Sequence, residues 1–283
     1  MKLKLLNVFI SIICSCFVFS AVARLIAQGY QECERPYFVI VIPSYNNEKY
    51  CEKNLKSALD QKYPYYQIIY INDASTDSTK ERVEKCIPNY DYDNRVTFIH
   101  NDINVGPLAN IHRAVHMCDS HTVIVILDGD DFLIDDNVLT YLSNVYRDQN
   151  VWMTYGQYVH YPQIYRKGGA RELPRHVINN HSFREYDWVT THLRSFYAGL
   201  FHKIKKEDLM YEGSFFAMTG DLASTFPMLE MAGEHSKFIA TSLYLYNIEN
   251  PLNENKKNVD YQQHLEHVIR NGRKYTALKT LWS

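Results

Sequence analysis

The sequence predicts an α/β fold, a mostly parallel sheet flanked by helices, and three observations predict it. Four apolar runs alternate with three segments of helical periodicity between residues 38 and 135. The runs are apolar at consecutive positions, so both faces of each strand are buried, as in a parallel sheet covered by helices on both sides. Polar residues gather where the runs end, and in doubly wound sheets ligands bind beyond the carboxyl ends of the strands.

Each element has its own signal. "YFVIVIPSYN" is a strand ended by Pro43, and "EKYCEKNLKSALDQKYP" is a helix stopped by Pro64. "YQIIYINDASTDST" is a second strand, ending in Asn72-Asp73. "STKERVEKCIPNY" is a short polar helix with a Ser/Thr/Asp start and Pro88 as its stop. "RVTFIHNDINVG" is a third strand, and "PLANIHRAVHMC" is a helix with Pro107 in its first turn. "TVIVILDGDD" is the fourth strand.

Beyond residue 151 the alternation fades. "VWMTYGQYVHYPQIY" reads as a strand and hairpin, "KGGARELPRHVINN" as a loop, and "HSFREYDWVTTHLRSFYAGLFHKI" as containing a helix. "TGDLASTFPMLEMAG" is a helix capped by Thr219 or Asp221, and "KFIATSLYLYNIENP" is a strand ended by Asn250-Pro251. Leu265, Val268 and Ile269 have helical spacing, which predicts a C-terminal helix over 259–283. The expected domain covers 38–258, in halves 38–135 and 136–258, and no internal repeat is present.

Residues 1–27 read as a membrane anchor or a signal peptide. Lys2 and Lys4 precede a stretch without charge from Leu5 to Ala23. That length can span a bilayer, and "SAVAR" offers a cleavage site at Ala21–Ala23. Apolar character resumes at Leu25–Ala27, which favours the uncleaved anchor. Residues 28–37 form a short stem, and the front lysines put the domain on the lumenal or extracytoplasmic side. Cleavage would make it secreted instead.

The formal charge of −2 gives no general basic field, so nucleic acid is not an expected partner. Cys33, Cys51, Cys86 and Cys118 contain no CxxC pair, against a zinc site. They are either bridged in pairs or free and buried. With 23 tyrosines against 3 tryptophans, an aromatic rim around a polar ligand is one reading of the composition.

The acidic cluster is the most informative stretch. Asp128 and Asp130 stand two apart at a strand end, with Asp131, Asp135 and Asp136 close behind. Gly129 lets the backbone bend between them. Oxygen-only ligands suit Mn²⁺ or Mg²⁺, which needs few protein ligands when a diphosphate supplies the rest. The plainer alternative is a solvated loop in which Asp131 or Asp135 caps a helix.

"VIPSYNNEKYCEKNLKSALDQKYP", "INDASTDST", "NVGPLANIHRA" and "LDGDD", in this order, resemble the inverting glycosyltransferases of family 2, which have the GT-A fold. The resemblance is dense over about 37–135 and loose elsewhere. It implies a nucleotide-sugar donor, most often a UDP-sugar, and a glycan, protein or lipid acceptor. It also implies that Asp73 holds the uracil edge, that Pro43, Tyr45 and Glu48 line the base and ribose pocket, that Asp128 contacts ribose or donor sugar, and that Asp130 binds the metal. The family's general base is an Asp at a helix start in the second half, here Asp221. His192, in a segment similar to one that approaches the donor, is a candidate third metal ligand, with Arg194 available for phosphate.

The residues themselves are compatible with these roles. A carboxylate at a strand end can accept an imide N–H, though Asp73 also suits an Asx-turn. Tyr45 could stack on a base. Arg113 could reach phosphate or sugar, or lie on the surface of its helix. Asn250 is a candidate to close over the site. Processive family members carry QxxRW, which this sequence lacks, so transfer of a single sugar is expected. The competing classes are a nucleotidyltransferase, which needs a Gly-rich basic loop absent from "PSYNNEKY", and an inert relative, which has no physical reason to keep four carboxylates at one edge.

Overall fold

Seven consecutive buried residues, Phe38–Ser44, form strand β1, on which the sheet is built. Phe38, Ile40 and Ile42 enter one hydrophobic cluster. Val39 and Val41 enter a second, because successive strand side chains face opposite ways. The computed structural model describes residues 35–251 and 258–282. The anchor or signal segment at 1–27 lies outside the described residues. Among those described, no helix is long and apolar enough to cross a membrane.

From β1 the chain continues through α1 (Cys51–Leu59), β2 (Tyr66–Asn72), α2 (Thr79–Tyr90), β3 (Val96–His100), α3 (Pro107–Val115) and β4 (Val123–Ile126). Then come β5 (Phe132–Leu133), α4 (Val138–Val145), β6 (Met153–Tyr161), α5 (Arg175–Asn179), β7 (Arg194–Tyr197) and α6 (Ala198–Phe201). The hairpin β8 (Met210–Tyr211) and β9 (Ser214–Phe215), α7 (Gly220–Ala232), β10 (Ser236–Asn247) and α8 (Val259–Arg270) complete it. The main sheet has the order β3-β2-β1-β4-β7-β6-β10-β5. β1 pairs in parallel with β2 and β4, so the strand order reverses between β1 and β4. A crevice opens at such a reversal.

The second half departs from expectation. The segment 181–204 is not mainly helical: it supplies β7, antiparallel to both β4 and β6, and only the single turn α6. The stretch 167–180 is not all loop, since it contains α5. Helix α2 runs past Pro88 to Tyr90. The carbonyl that Pro88 leaves without a donor belongs to exposed Glu84, where water can bond it. Helix α8 stops at Arg270 rather than extending to 283, closed by Asn271 N–H bonds to the His267 and Ile269 carbonyls. Cys51, Cys86 and Cys118 are free thiols, and Cys33 lies outside the described residues. Burial pushes the Cys51 thiol up to about 12.

A buried ion pair fastens the C-terminal segment to the core. Arg184 Nε donates to Glu230 Oε1 at 2.6 Å and Nη2 to Oε2 at 3.0 Å. The same guanidinium donates to the carbonyls of Ile269 and Arg273, and Tyr275 N–H donates to Glu230. Glu230 is fully buried on α7, so removing it strands a buried cation. Glu230→Ala is therefore expected to lose about 3–5 kcal/mol of unfolding free energy in a urea titration. A loss under about 1 kcal/mol contradicts this clamp.

Candidate active site

Strand register assembles the site. Ser44 pairs with Asn72, which puts Asp73 beside the end of β1. Val41 pairs with Ile126, and Gly129 N–H donates to the Pro43 carbonyl at 3.1 Å, so the acidic loop follows the same edge. Because β7 is antiparallel, its first residue, Arg194, pairs with Ile126, the last of β4. His192 and Arg194 thus enter beside Asp128. A cleft of about 1420 Å³ follows this edge, lined by residues that include Pro43, Tyr45, Asp73, Asp128, Asp130 and Asp221.

Gly129 is needed for close approach rather than for a bend. A Cβ there would lie 2.6 Å from the Ser44 side chain and 2.8 Å from Asn47 Nδ2. The carboxylates behind it are sorted by environment. Asp131 is 1% exposed and caps no helix. It accepts from Asn247 N–H and from the Tyr244 hydroxyl, each at 2.6 Å. Burial, then the charges of Asp130 and Asp128, hold its carboxyl well above the usual range. Asp130 accepts from Asn250 Nδ2 at 2.6 Å. Burial chiefly, with the Asp128 charge adding and the Asn250 bond opposing, pushes Asp130 up to about 6. Asp136 pairs with Lys62, and Asp135 accepts from the Asn137 N–H before α4.

His192 stacks on Tyr244 at 4.6 Å and on Tyr246 at 5.7 Å, with Tyr158 edge-on. Its Nδ1 lies 3.7 Å from Asp128 Oδ2. Burial first, then the Arg194 charge, lowers its pKa to about 3, so the ring is neutral. Among the described residues no three His, Cys, Asp or Glu side chains are grouped to hold a metal, and the acidic-loop contact of His192 is with Asp128, not Asp130. Asp128 and Asp130 still fit a hard cation, since both offer oxygen and their crowding is relieved by positive charge. Mn²⁺ or Mg²⁺ held by one or two carboxylates relies on substrate phosphates for other ligands.

Asp221 is the second residue of α7 and does not occupy the N-cap. Thr219 does, in the left-handed region at φ 57, without a side-chain cap bond. A β-branched residue there is strained, which is common beside functional groups. Arg194 Nη1 lies 3.1 Å from Asp221 Oδ2, an ion-pair distance whose angle misses a hydrogen bond.

Asp73 is more occupied than the sequence suggests. Its Oδ1 accepts from Asn101 Nδ2 at 2.8 Å and Val105 N–H at 3.0 Å, and Oδ2 from Gly106 N–H at 2.8 Å. One lone pair of Oδ2 remains for a ligand. Tyr45 is 41% exposed on the cleft wall. Arg113 lines the same wall, with Nη1 donating to Asn101 Oδ1 at 3.2 Å. Glu48 is not brought to the cleft. Asn46, at φ 53, turns the chain over the β2–α2 loop, and Glu48 accepts there from the Ser78 N–H. Sequence reasoning missed Tyr244, Tyr246 and the anchoring role of Asp131. The signal available was the alternating "YLYN" directly before "IENP".

The family model for Glycosyl transferase family 2 matches residues 39–219. An uncharacterized glycosyltransferase of Haemophilus influenzae is 32% identical over 123 residues, 44% of this chain and 47% of that protein. The match thus spans about half of that relative's length. A crystal structure of S. aureus TarS in complex with UDP-GlcNAc is similar with a TM-score of 0.58 and 15% identity, covering 82% of this chain and 65% of that one. Glucosyl-3-phosphoglycerate synthase from Mycobacterium tuberculosis, solved with Mn²⁺, UDP and glucosyl-3-phosphoglycerate, gives 0.54 and 11%, covering 83% and 80%. These likenesses show a GT-A-type α/β fold.

The Tyr244 hydroxyl also accepts from the Asp128 N–H at 3.2 Å. Tyr244→Phe leaves that donor and the Asp131 carboxylate short of a partner. It is expected to cost about 1–3 kcal/mol in chemical denaturation. Unchanged stability would mean that the acidic loop is held by other contacts.

Proposed function

Because the chain belongs to glycosyl transferase family 2 and is a glycosyltransferase, we propose that it moves one sugar from a UDP-sugar to an acceptor hydroxyl, with inversion and with Mn²⁺ or Mg²⁺. One observation carries this reading: a single cleft at the strand-order reversal is lined by Asp73, Asp128, Asp130, Arg194 and Asp221. UDP-GlcNAc in the S. aureus TarS complex supports the donor class. The presence of both Mn²⁺ and UDP in the Mycobacterium tuberculosis synthase complex supports the metal. Transfer of a single sugar rests on the missing QxxRW in these 283 residues. Residues 1–27 would hold the domain on the extracytoplasmic face of a membrane.

In this reading Asp73 accepts the imide N–H of the base with the lone pair that the 105–106 amides leave open, and Tyr45 covers the ring. Asp128 meets the ribose or donor sugar. Asp130, with Asp128 beside it, would hold the metal, which would supply positive charge to the leaving diphosphate. Asp221 takes the acceptor proton as general base. The acceptor oxygen bonds the anomeric carbon from the side opposite the diphosphate, and the anomeric C–O bond breaks with its electron pair leaving on phosphate. No enzyme nucleophile is needed. Arg194 balances the Asp221 charge at 3.1 Å. Neutral His192 forms an aromatic wall beside Asp128.

Asp221→Asn keeps the shape of the site and removes the base. Transfer, measured as UDP release that depends on an acceptor, is expected to fall by about 10²–10⁴-fold, with UDP affinity within about twofold of wild type. Transfer at near wild-type rate assigns Asp221 to the Arg194 ion pair alone.

A further inference from the structure

The cleft continues beyond Asp221 along α7. Asp221, Ser224, Thr225 and Met228 line it, at the spacing of one helix face. Trp188 lines it too, its ring 5.4 Å from Phe226 of α7 and edge-on to it. So do Gln262 and Glu266 of α8. The Arg270 guanidinium, 5.2 Å over the Phe226 ring, fixes Glu266 through Oε1 at 2.8 Å.

Thr225 is the telling residue. It is 1% exposed, and its hydroxyl has no hydrogen-bond partner among the described residues. A threonine inside a helix ordinarily bonds back to the carbonyl four residues earlier. Ser224 does so, to Gly220 at 2.9 Å, whereas Thr225 does not. Buried hydroxyls are nearly always paired, so an unpaired one in a residue beside the cleft leaves bonding capacity that a water or a ligand atom reaching it can take up. Asp221 and Thr225 are one helical turn apart, about 6 Å along the axis. A ligand ring held at Thr225 can therefore present a hydroxyl to Asp221.

We propose that this arm is the acceptor subsite and that the acceptor is a saccharide. One apolar ring face lies on Trp188, and its hydroxyls bond Thr225 Oγ1 and the Glu266 carboxylate. This rests on the transferase reading above, with Asp221 as base. An aromatic face beside a hydroxyl and a fixed carboxylate suits a ligand that is apolar on its ring faces and polar at its rim. An alkyl chain would leave Thr225 and Glu266 unmet.

The test is a tryptophan-fluorescence titration of the full chain in detergent, with Mn²⁺ present. UDP is titrated first, then methyl glycosides of the common hexoses and N-acetylhexosamines and their disaccharides. At least one saccharide is expected to change the emission. Trp188→Phe abolishes the change, and Trp282→Phe retains it. Thr225→Val raises the dissociation constant about fivefold, the worth of one neutral hydrogen bond, while Thr225→Ser restores it. Failure of wild-type protein to bind UDP overturns the transferase site on which the arm depends. UDP binding without any saccharide response, or a response only to polyprenyl phosphate, overturns the arm alone. So does saccharide binding that Thr225→Val and Trp188→Phe leave unchanged.

Discussion

The burial of Asp131 against Tyr244 and the Asn247 amide sets the rest of the site. Three carboxylates within four residues repel one another, and the fold removes one from the competition. Asp131 goes into the protein, satisfied by two donors at 2.6 Å, while Asp128 and Asp130 stay on the cleft. That contact joins the end of β4 to β10. β10 pairs with β6, and β6 with β7, the strand that delivers His192 and Arg194. β4 before the loop and β5 after it pair with β7 and β10, and the Asp131 contacts fix the loop itself between those two pairings.

Charge is arranged along the cleft rather than over the whole surface. With a formal charge of −2, the protein exerts little general pull on any partner. The Asp73 carboxylate is absorbed by the amides of Val105 and Gly106, which shapes the wall as much as it offers an acceptor. Asp128 and Asp130 concentrate negative charge where a diphosphate and its cation would lie. Arg194, 8% exposed, balances Asp221 from beneath. Thr219 carries local strain one residue before α7, and the loop it belongs to lines the cleft.

The first half was legible in the sequence because each strand there is a continuous apolar run and each helix has a proline or polar boundary. The gathering of Asp73, Asp128 and Asp130 at one edge follows from that pattern alone. The second half was harder. β7 is four residues, "RSFY", inside an aromatic segment whose periodicity suits a helix equally well. Only its pairing with β4 and β6 reveals it. The roles of Tyr244 and Tyr246 were hidden among 23 tyrosines. Glu48 misled because its motif position takes no account of the left-handed turn at Asn46. Helix α7 was plain in outline, but the ion pair of Asp221 with Arg194 depends on strand β7 and so was not.

The central claim is that the acidic loop holds a metal on a nucleotide diphosphate. The most direct measurement is calorimetric titration of a panel of nucleotide sugars into wild-type protein and Asp130→Asn, each with Mn²⁺ and with chelator. The account predicts that wild type binds a UDP-sugar with an affinity that falls when the metal is chelated, and that Asp130→Asn binds it equally weakly in both conditions. Metal-independent binding by wild type, or an undiminished Mn²⁺ effect in Asp130→Asn, would contradict it.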